Sequence, residues 1–167
     1  MYKIISLILV NGYLCNQKKM DANIKCIGIA CDHAGYELKN EIIDHLNNLG
    51  AKVLDFGTNS NKSMDYPDVA HPLAESVVNG ECDFGIAICG SGNGISMTVN
   101  KHKNIRAALC WNVELAQLAR EHNNANILSL PARFIDQKLA IEIVDKFFSS
   151  DFEGGRHQTR IDKINLK

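Results

Sequence analysis

The sequence predicts an α/β protein: a single doubly wound, Rossmann-like domain with a five-stranded parallel sheet and a C-terminal helical extension. Three observations carry this. Short apolar runs of strand length alternate with longer runs of helical spacing. The short runs are continuously apolar, as strands covered on both faces are. Helical runs separate successive strand runs, which is the pattern of parallel crossover units.

Each element has its own signal. KCIGIAC at 25–31 reads as a buried strand. Leu38, Ile42, Ile43, Leu46 and Leu49 then recur at helical spacing, and Gly50 ends the helix. AKVLDF at 51–56 is the second strand, followed by a polar loop, GTNSNKSMD. Pro67 opens a helix that carries Val69, Leu73, Val77 and Val78 on one face. DFGIAIC at 83–89 is the third strand, and the next helix starts within or after the glycine loop that follows. IRAALC is the fourth strand, and Asn112 caps the helix NVELAQLAREHN. ANILSL is the fifth strand, and DQKLAIEIVDKFFSS reads as the longest helix.

Composition narrows the function. The 167 residues suit one domain with a substantial core, and 46% hydrophobic with 22% charged residues is ordinary for a soluble protein. A formal net charge of −1 builds in no attraction to nucleic acid or to an anionic membrane. The six cysteines form no C-x-x-C pair, which argues against a zinc site. Four of them lie in or beside apolar strands, where reduced thiols of a cytoplasmic protein sit. Residues 1–23 form an N-terminal extension that reads as disordered or strand-adding. Its start, MYKIISLILV, also has the pattern of a weak signal peptide and is too short to span a bilayer. Met20 is an alternative start.

In doubly wound sheets ligands bind beyond the carboxyl ends of the strands. CDHAG follows the first strand, so Asp32 and His33 are candidates to bind sugar hydroxyls or phosphate; Asp32 as a helix cap is the alternative. CGSGNG at 89–94 follows the third strand. It fails the dinucleotide fingerprint, because Ile95 stands where the last glycine belongs, and it lacks the lysine of a P-loop. What remains is a nest of backbone N–H groups, which stabilises an anion, either a phosphate or a developing oxyanion. Cys89 opens this loop. Thiolates are favoured at helix N-termini, so Cys89 is a candidate base, with a buried structural thiol as the alternative.

His122 ends a helix and suits acid–base work, or interaction with the helix dipole. Asn123 beside it suits hydroxyl binding or a helix stop. In EGGRHQTR, Arg156 and Arg160 are spaced i, i+4, which on a helix puts both guanidinium groups on one face fit for a phosphate. Arg133, after the fifth strand, is a third cation at the ligand side.

Taken in order, CDHAG, DYPD, CGSGNGI, AREHNN and EGGRH resemble the type B ribose-5-phosphate isomerases, which group with the galactose-6-phosphate isomerases. The resemblance runs from about residue 26 to 167 and makes 24–167 a sugar-phosphate isomerase domain. It implies a metal-free, cofactor-free aldose–ketose isomerase of the pentose phosphate pathway that interconverts D-ribose 5-phosphate and D-ribulose 5-phosphate.

The resemblance also implies roles. Cys89 is the base that moves a proton between C1 and C2. Ser91 and the backbone of Gly90, Ser91, Gly92, Asn93 and Gly94 stabilise the enediolate. His122 helps open the furanose ring, and Asp32, His33 and Asn123 contact the sugar. Arg133, Arg156 and Arg160 bind the phosphate. The expected assembly is a homodimer or homotetramer whose C-terminal arginines serve the partner's site. A second branch of the family has glycine at the cysteine position and a glutamate after the loop; Cys89 and Ile95 place this chain with the cysteine type. Finding cysteine, histidine and arginines in one chain favours a homo-oligomer over the two-subunit galactose enzymes. Two competing readings are a sugar-phosphate sensor, which needs neither Cys89 nor His122, and a thiol redox protein, which needs the C-x-x-C that is absent.

Overall fold

The computed structural model describes residues 24–164. The readings of residues 1–23 lie outside the described residues.

The element order is β1 (Cys26–Cys31), a 3₁₀ turn (His33–Gly35), α1 (Tyr36–Asn48), β2 (Lys52–Asp55), α2 (Pro67–Val78), β3 (Phe84–Cys89), α3 (Asn93–Val99), β4 (Ala107–Leu109), α4 (Val113–Asn123), β5 (Ile127–Pro131), α5 (Gln137–Phe148) and α6 (Arg156–Ile161). All five strands pair in parallel, in the order β2-β1-β3-β5-β4. The predicted caps are in place where it matters for direction. Asn112 accepts from the N–H of Leu115 at the head of α4, and Pro67 opens α2. One expectation is corrected. Among the described residues the longest helix is α1, with 13 residues, against 12 for α5. The Ser149 and Ser150 hydroxyls both donate back to the Lys146 carbonyl, and α5 stops before them.

The two faces of the sheet are filled differently, and the strand sequences say why. Side chains alternate between faces. Ile27, Ile29, Ile86, Ile88, Leu128 and Leu130 are buried against Ile42, Leu46, Ala116, Ile143 and Phe147 of α1, α4 and α5. Burying each such large side chain contributes about 1.5–3 kcal/mol. On the other face Gly28, Ala30, Gly85 and Ala87 are small, and α2 and α3 lie close, packing Val69, Leu73, Ile95 and Val99 there. A Cβ on Gly28 would stand 2.7 Å from Leu73 Cδ1, so a larger residue would push α2 away. Cys89 falls on this second face, at the carboxyl end of β3.

No helix of the described residues is long and apolar enough to cross a membrane.

Candidate active site

The strand order reverses direction at β1 and β3, so the crevice beyond their carboxyl ends is the topological switch point. Asp32 and Cys89 leave these strands side by side: the Asp32 N–H donates to the Ile88 carbonyl at 3.2 Å. Asp32 is buried, and its Oδ1 accepts from the N–H groups of Ala34 and Gly35, so one carboxylate oxygen does serve as the cap of the 3₁₀ turn. His33 Nδ1 accepts the Met64 N–H at 3.3 Å, so a neutral His33 carries its proton on Nε2.

The loop after β3 is zipped to the loop after β5. Ala132 N–H donates to the Cys89 carbonyl and Arg133 N–H to the Gly90 carbonyl, both at 3.0 Å. A Cβ on Gly90 would lie 3.3 Å from Arg133 Nε, so the guanidinium arm runs along the glycine loop. Gly92 has φ +73 and only glycine fits it: an added Cβ would stand 2.3 Å from Leu109 Cδ1. Gly94 has the Tyr66 ring over it, at 2.5 Å from a built Cβ. Among the described residues, no acceptor takes the Ser91 or Gly92 N–H. Ser91 and Asn93 are exposed, and the Ser91 hydroxyl accepts the Asn93 N–H at 3.4 Å. Cys89 is 4% exposed and forms the floor of the loop, against the cluster of Ala30, Val69 and Ile95.

His122, Asn123, Arg156 and Arg160 are elsewhere in the chain. α4 starts at the carboxyl end of β4 and its 11 residues run about 16 Å back along the sheet. It ends beside the amino ends of the strands, where Asn126 accepts from the β3 residue Gly85 and Arg106 donates to the Asn123 and Asn124 carbonyls. There the Glu153 N–H donates to the Glu121 carbonyl at 3.0 Å and brings α6 against α4. Arg156 and Arg160 are exposed on α6. The His122 and His157 rings stack 4.2 Å apart at 8°. Glu153 Oε2 lies 3.8 Å from His122 Nε2 and 3.6 Å from His157 Nε2. The chain thus holds Asp32, His33, the glycine loop with Cys89, and Arg133 at one end of the sheet, and His122, Asn123, Arg156 and Arg160 at the other.

The sequence reading assigned no role to three residues that shape these two ends. Tyr66, in DYPD, covers Gly94; Glu153 and His157, in EGGRH, flank His122. Their signal was their presence in the quoted motifs. Among the described residues, His122, Glu153 and His157 are the grouping close enough to hold a metal, with ligand atoms within 4.8 Å of one another. Two parallel rings cannot aim both lone pairs at one ion, and the Arg156 Nε–H donates to His157 Nε2 at 3.4 Å. The grouping is a hydrogen-bonded stack.

Beside the glycine loop, Leu109, Trp111, Pro131 and Phe134 join Ser91 and Asn93 in lining a cleft of about 460 Å³. Trp111 is 54% and Phe134 74% exposed.

Comparison with known proteins gives the class its name. The ribose/galactose isomerase family model matches residues 27–164. The chain is 45% identical over 141 residues to ribose-5-phosphate isomerase B of Escherichia coli K12, covering 84% of this chain and 95% of that protein. The solved ribose-5-phosphate isomerase B of Clostridium thermocellum superposes with a TM-score of 0.82 at 53% identity, covering 83% of this chain and 94% of that one. The Mycoplasma genitalium ribose-5-phosphate isomerase B, solved with bound ribulose-5-phosphate, superposes with a TM-score of 0.80 at 48% identity, covering 83% and 93%. The chain belongs to the ribose/galactose isomerase family, and these relatives are of the type B ribose-5-phosphate isomerases that the motifs resemble.

Proposed function

We propose that this chain, through residues 24–167, is an aldose–ketose isomerase that interconverts D-ribose 5-phosphate and D-ribulose 5-phosphate in the cytoplasm. The observation that carries the reading is the glycine loop. It seats a thiol, Cys89, at the switch point, beside free backbone N–H groups and the Arg133 arm. The relatives named above carry the substrate.

In this mechanism the Cys89 thiolate removes the C2 proton of the open-chain aldose. The C2–H electron pair becomes the C1=C2 bond, and charge moves to O1. The O2–H proton passes to O1, and the thiol returns the abstracted proton to C1 while the C2 carbonyl forms, which leaves the ketose with a C1 hydroxyl and regenerates the thiolate. The Ser91 and Gly92 N–H groups face the developing oxyanion. A positioned base contributes about 10²–10⁴-fold and each oxyanion donor about 10²–10³-fold. Asp32 and His33 Nε2–H hold the sugar hydroxyls. His122 donates to the ring oxygen in the opening step, with Asn123 beside it, and Arg156 and Arg160 grip the phosphate with Arg133. Binding energy from the phosphate, remote from C1 and C2, orients the reacting end.

Because the two residue sets lie at opposite ends of one sheet, one chain cannot close both on one pentose. We infer a homodimer in which each site takes the Cys89 end from one subunit and the His122 end from the other. The exposed Trp111 and Phe134 beside the glycine loop are the surface that the second copy covers.

The test is a coupled assay of ribulose 5-phosphate formation with the wild type and Cys89→Ala. The reading requires turnover that the substitution abolishes while ribose 5-phosphate binding persists. Normal turnover by the variant would remove Cys89 as the base, and a silent wild type would remove the activity itself.

A further inference from the structure

His157 has no part in the mechanism above, yet it is 5% exposed and its ring lies against that of His122. Resting on the isomerase reading, we propose that His157 is a positioning residue that holds the ring-opening imidazole of His122 and the phosphate-binding guanidinium of Arg156 in one fixed relation.

The geometry supplies both contacts. One face of His157 stacks on His122, with centroids 4.2 Å apart and planes within 8°. Its Nε2 accepts the Arg156 Nε–H at 3.4 Å. The platform is itself fixed by the chain. Glu153 N–H donates to the carbonyl of Glu121, the residue directly before the pair His122–Asn123 that ends α4. Gly154 and Gly155, with φ +66 and +55, then turn the chain back, and the His157 N–H closes the turn on the Gly154 carbonyl at 3.0 Å. Those two φ values suit glycine, which explains the GG before Arg156. The turn brings the imidazole over the end of α4.

The charges agree with a passive, neutral platform. Loss of hydration, then the positive neighbours His122, Arg156 and Arg160, push the His157 pKa below the usual histidine value; Glu153 opposes them. With Nε2 accepting from Arg156, the neutral ring carries its proton on Nδ1. Glu153, within 4 Å of both Nε2 atoms, balances charge on His122. The ring-opening step needs the His122 donor aimed at one oxygen, and a displacement of about 1 Å at such a group costs about 10²-fold. His122 is half-exposed, and stacking confines its ring to one plane.

The two contacts separate by substitution. His157→Phe keeps the platform and loses the acceptor: kcat should stay within about 3-fold while KM for ribose 5-phosphate rises about 10-fold. His157→Gln keeps an acceptor and loses the platform: KM should hold while kcat falls about 10- to 100-fold. Thermal melts of each variant report folding, and ¹⁵N chemical shifts of the wild-type histidines report the tautomer directly. An Nδ1–H His157 supports the proposal. An Nε2–H His157, or kcat and KM moving in parallel in both variants, or neither moving, overturns it with the isomerase reading intact. A wild type without turnover overturns both.

Discussion

Lys39 Nζ, buried to 1% exposure, lies 2.5 Å from Asp55 Oδ2 and donates to the Thr58 carbonyl at 2.9 Å. Asp55 Oδ1 in turn accepts the Gly57 N–H. A single ammonium thus fixes the start of the loop between β2 and α2, whose far end presents Met64 to His33 and Tyr66 to Gly94. Lys39→Met removes the charge from a buried position but strands the Thr58 carbonyl and leaves Asp55, one-third exposed, to solvent. We expect a loss of about 1–3 kcal/mol of stability, below the figure for a fully buried pair. Denaturant unfolding measures it, and an unchanged midpoint would show that the loop does not depend on Lys39.

Three buried thiols should weaken the fold at alkaline pH. Burial pushes Cys31 and Cys110 from 9.0 up to about 12 and Cys82 up to about 11. Their folded values lie above the unfolded one. Their stabilising effect is therefore complete below pH 9 and is lost as pH rises from there toward 12. The slope approaches about 1.4 kcal/mol per pH unit for each such thiol. Melts between pH 7 and 10.5 should fall above pH 9, and Cys110→Ala should flatten that fall while lowering stability at neutral pH. A melting temperature level from pH 8 to 10.5 would refute the burial of these thiols.

How much of this was legible in the sequence depends on what each residue's neighbours could reveal. The strands are legible because a run such as FGIAIC, apolar at every position, has few homes other than a covered sheet. Ends of elements shift by a residue or two, as at β4, where IRAALC leaves only Ala107–Leu109 paired. The order β5 before β4 at the sheet edge was not legible, because nothing local tells a strand which neighbour it will have. Cys89, Asp32 and Arg133 were readable as one group, since all follow strands. That His122 lies at the opposite end followed from the length of α4 alone, but becomes plain only when the helix is laid on the sheet. Lys39 was invisible. A lysine on a helix reads as solvated, and only the Asp55 carboxylate and Thr58 carbonyl, 16 and 19 residues on, explain its burial.

The apolar surface beside the glycine loop predicts self-association. Trp111 and Phe134 expose large apolar area next to Ser91 and Asn93. Removing one such aromatic anchor from an interface costs about 2 kcal/mol or more, which is some 30-fold or more in dissociation constant. Phe134→Glu adds a charge as well. Sedimentation should show the wild type as a dimer or tetramer and the variant dissociating at micromolar concentration with activity falling in step. A monomeric wild type that is fully active would contradict the assembly.

The central claim is that each site joins the Cys89 end of one subunit to the His122 end of another. Subunit mixing tests it most directly. Cys89→Ala and His122→Ala chains, carrying different tags, are each expected to be inactive alone. In a mixed dimer one site would receive both defects and the other neither. Random mixing of a two-fold dimer should therefore restore about 25% of wild-type activity, and purified mixed dimers about 50%. Mixed dimers no more active than their parents would mean that both groups work within one chain, and the two-ended site would be wrong.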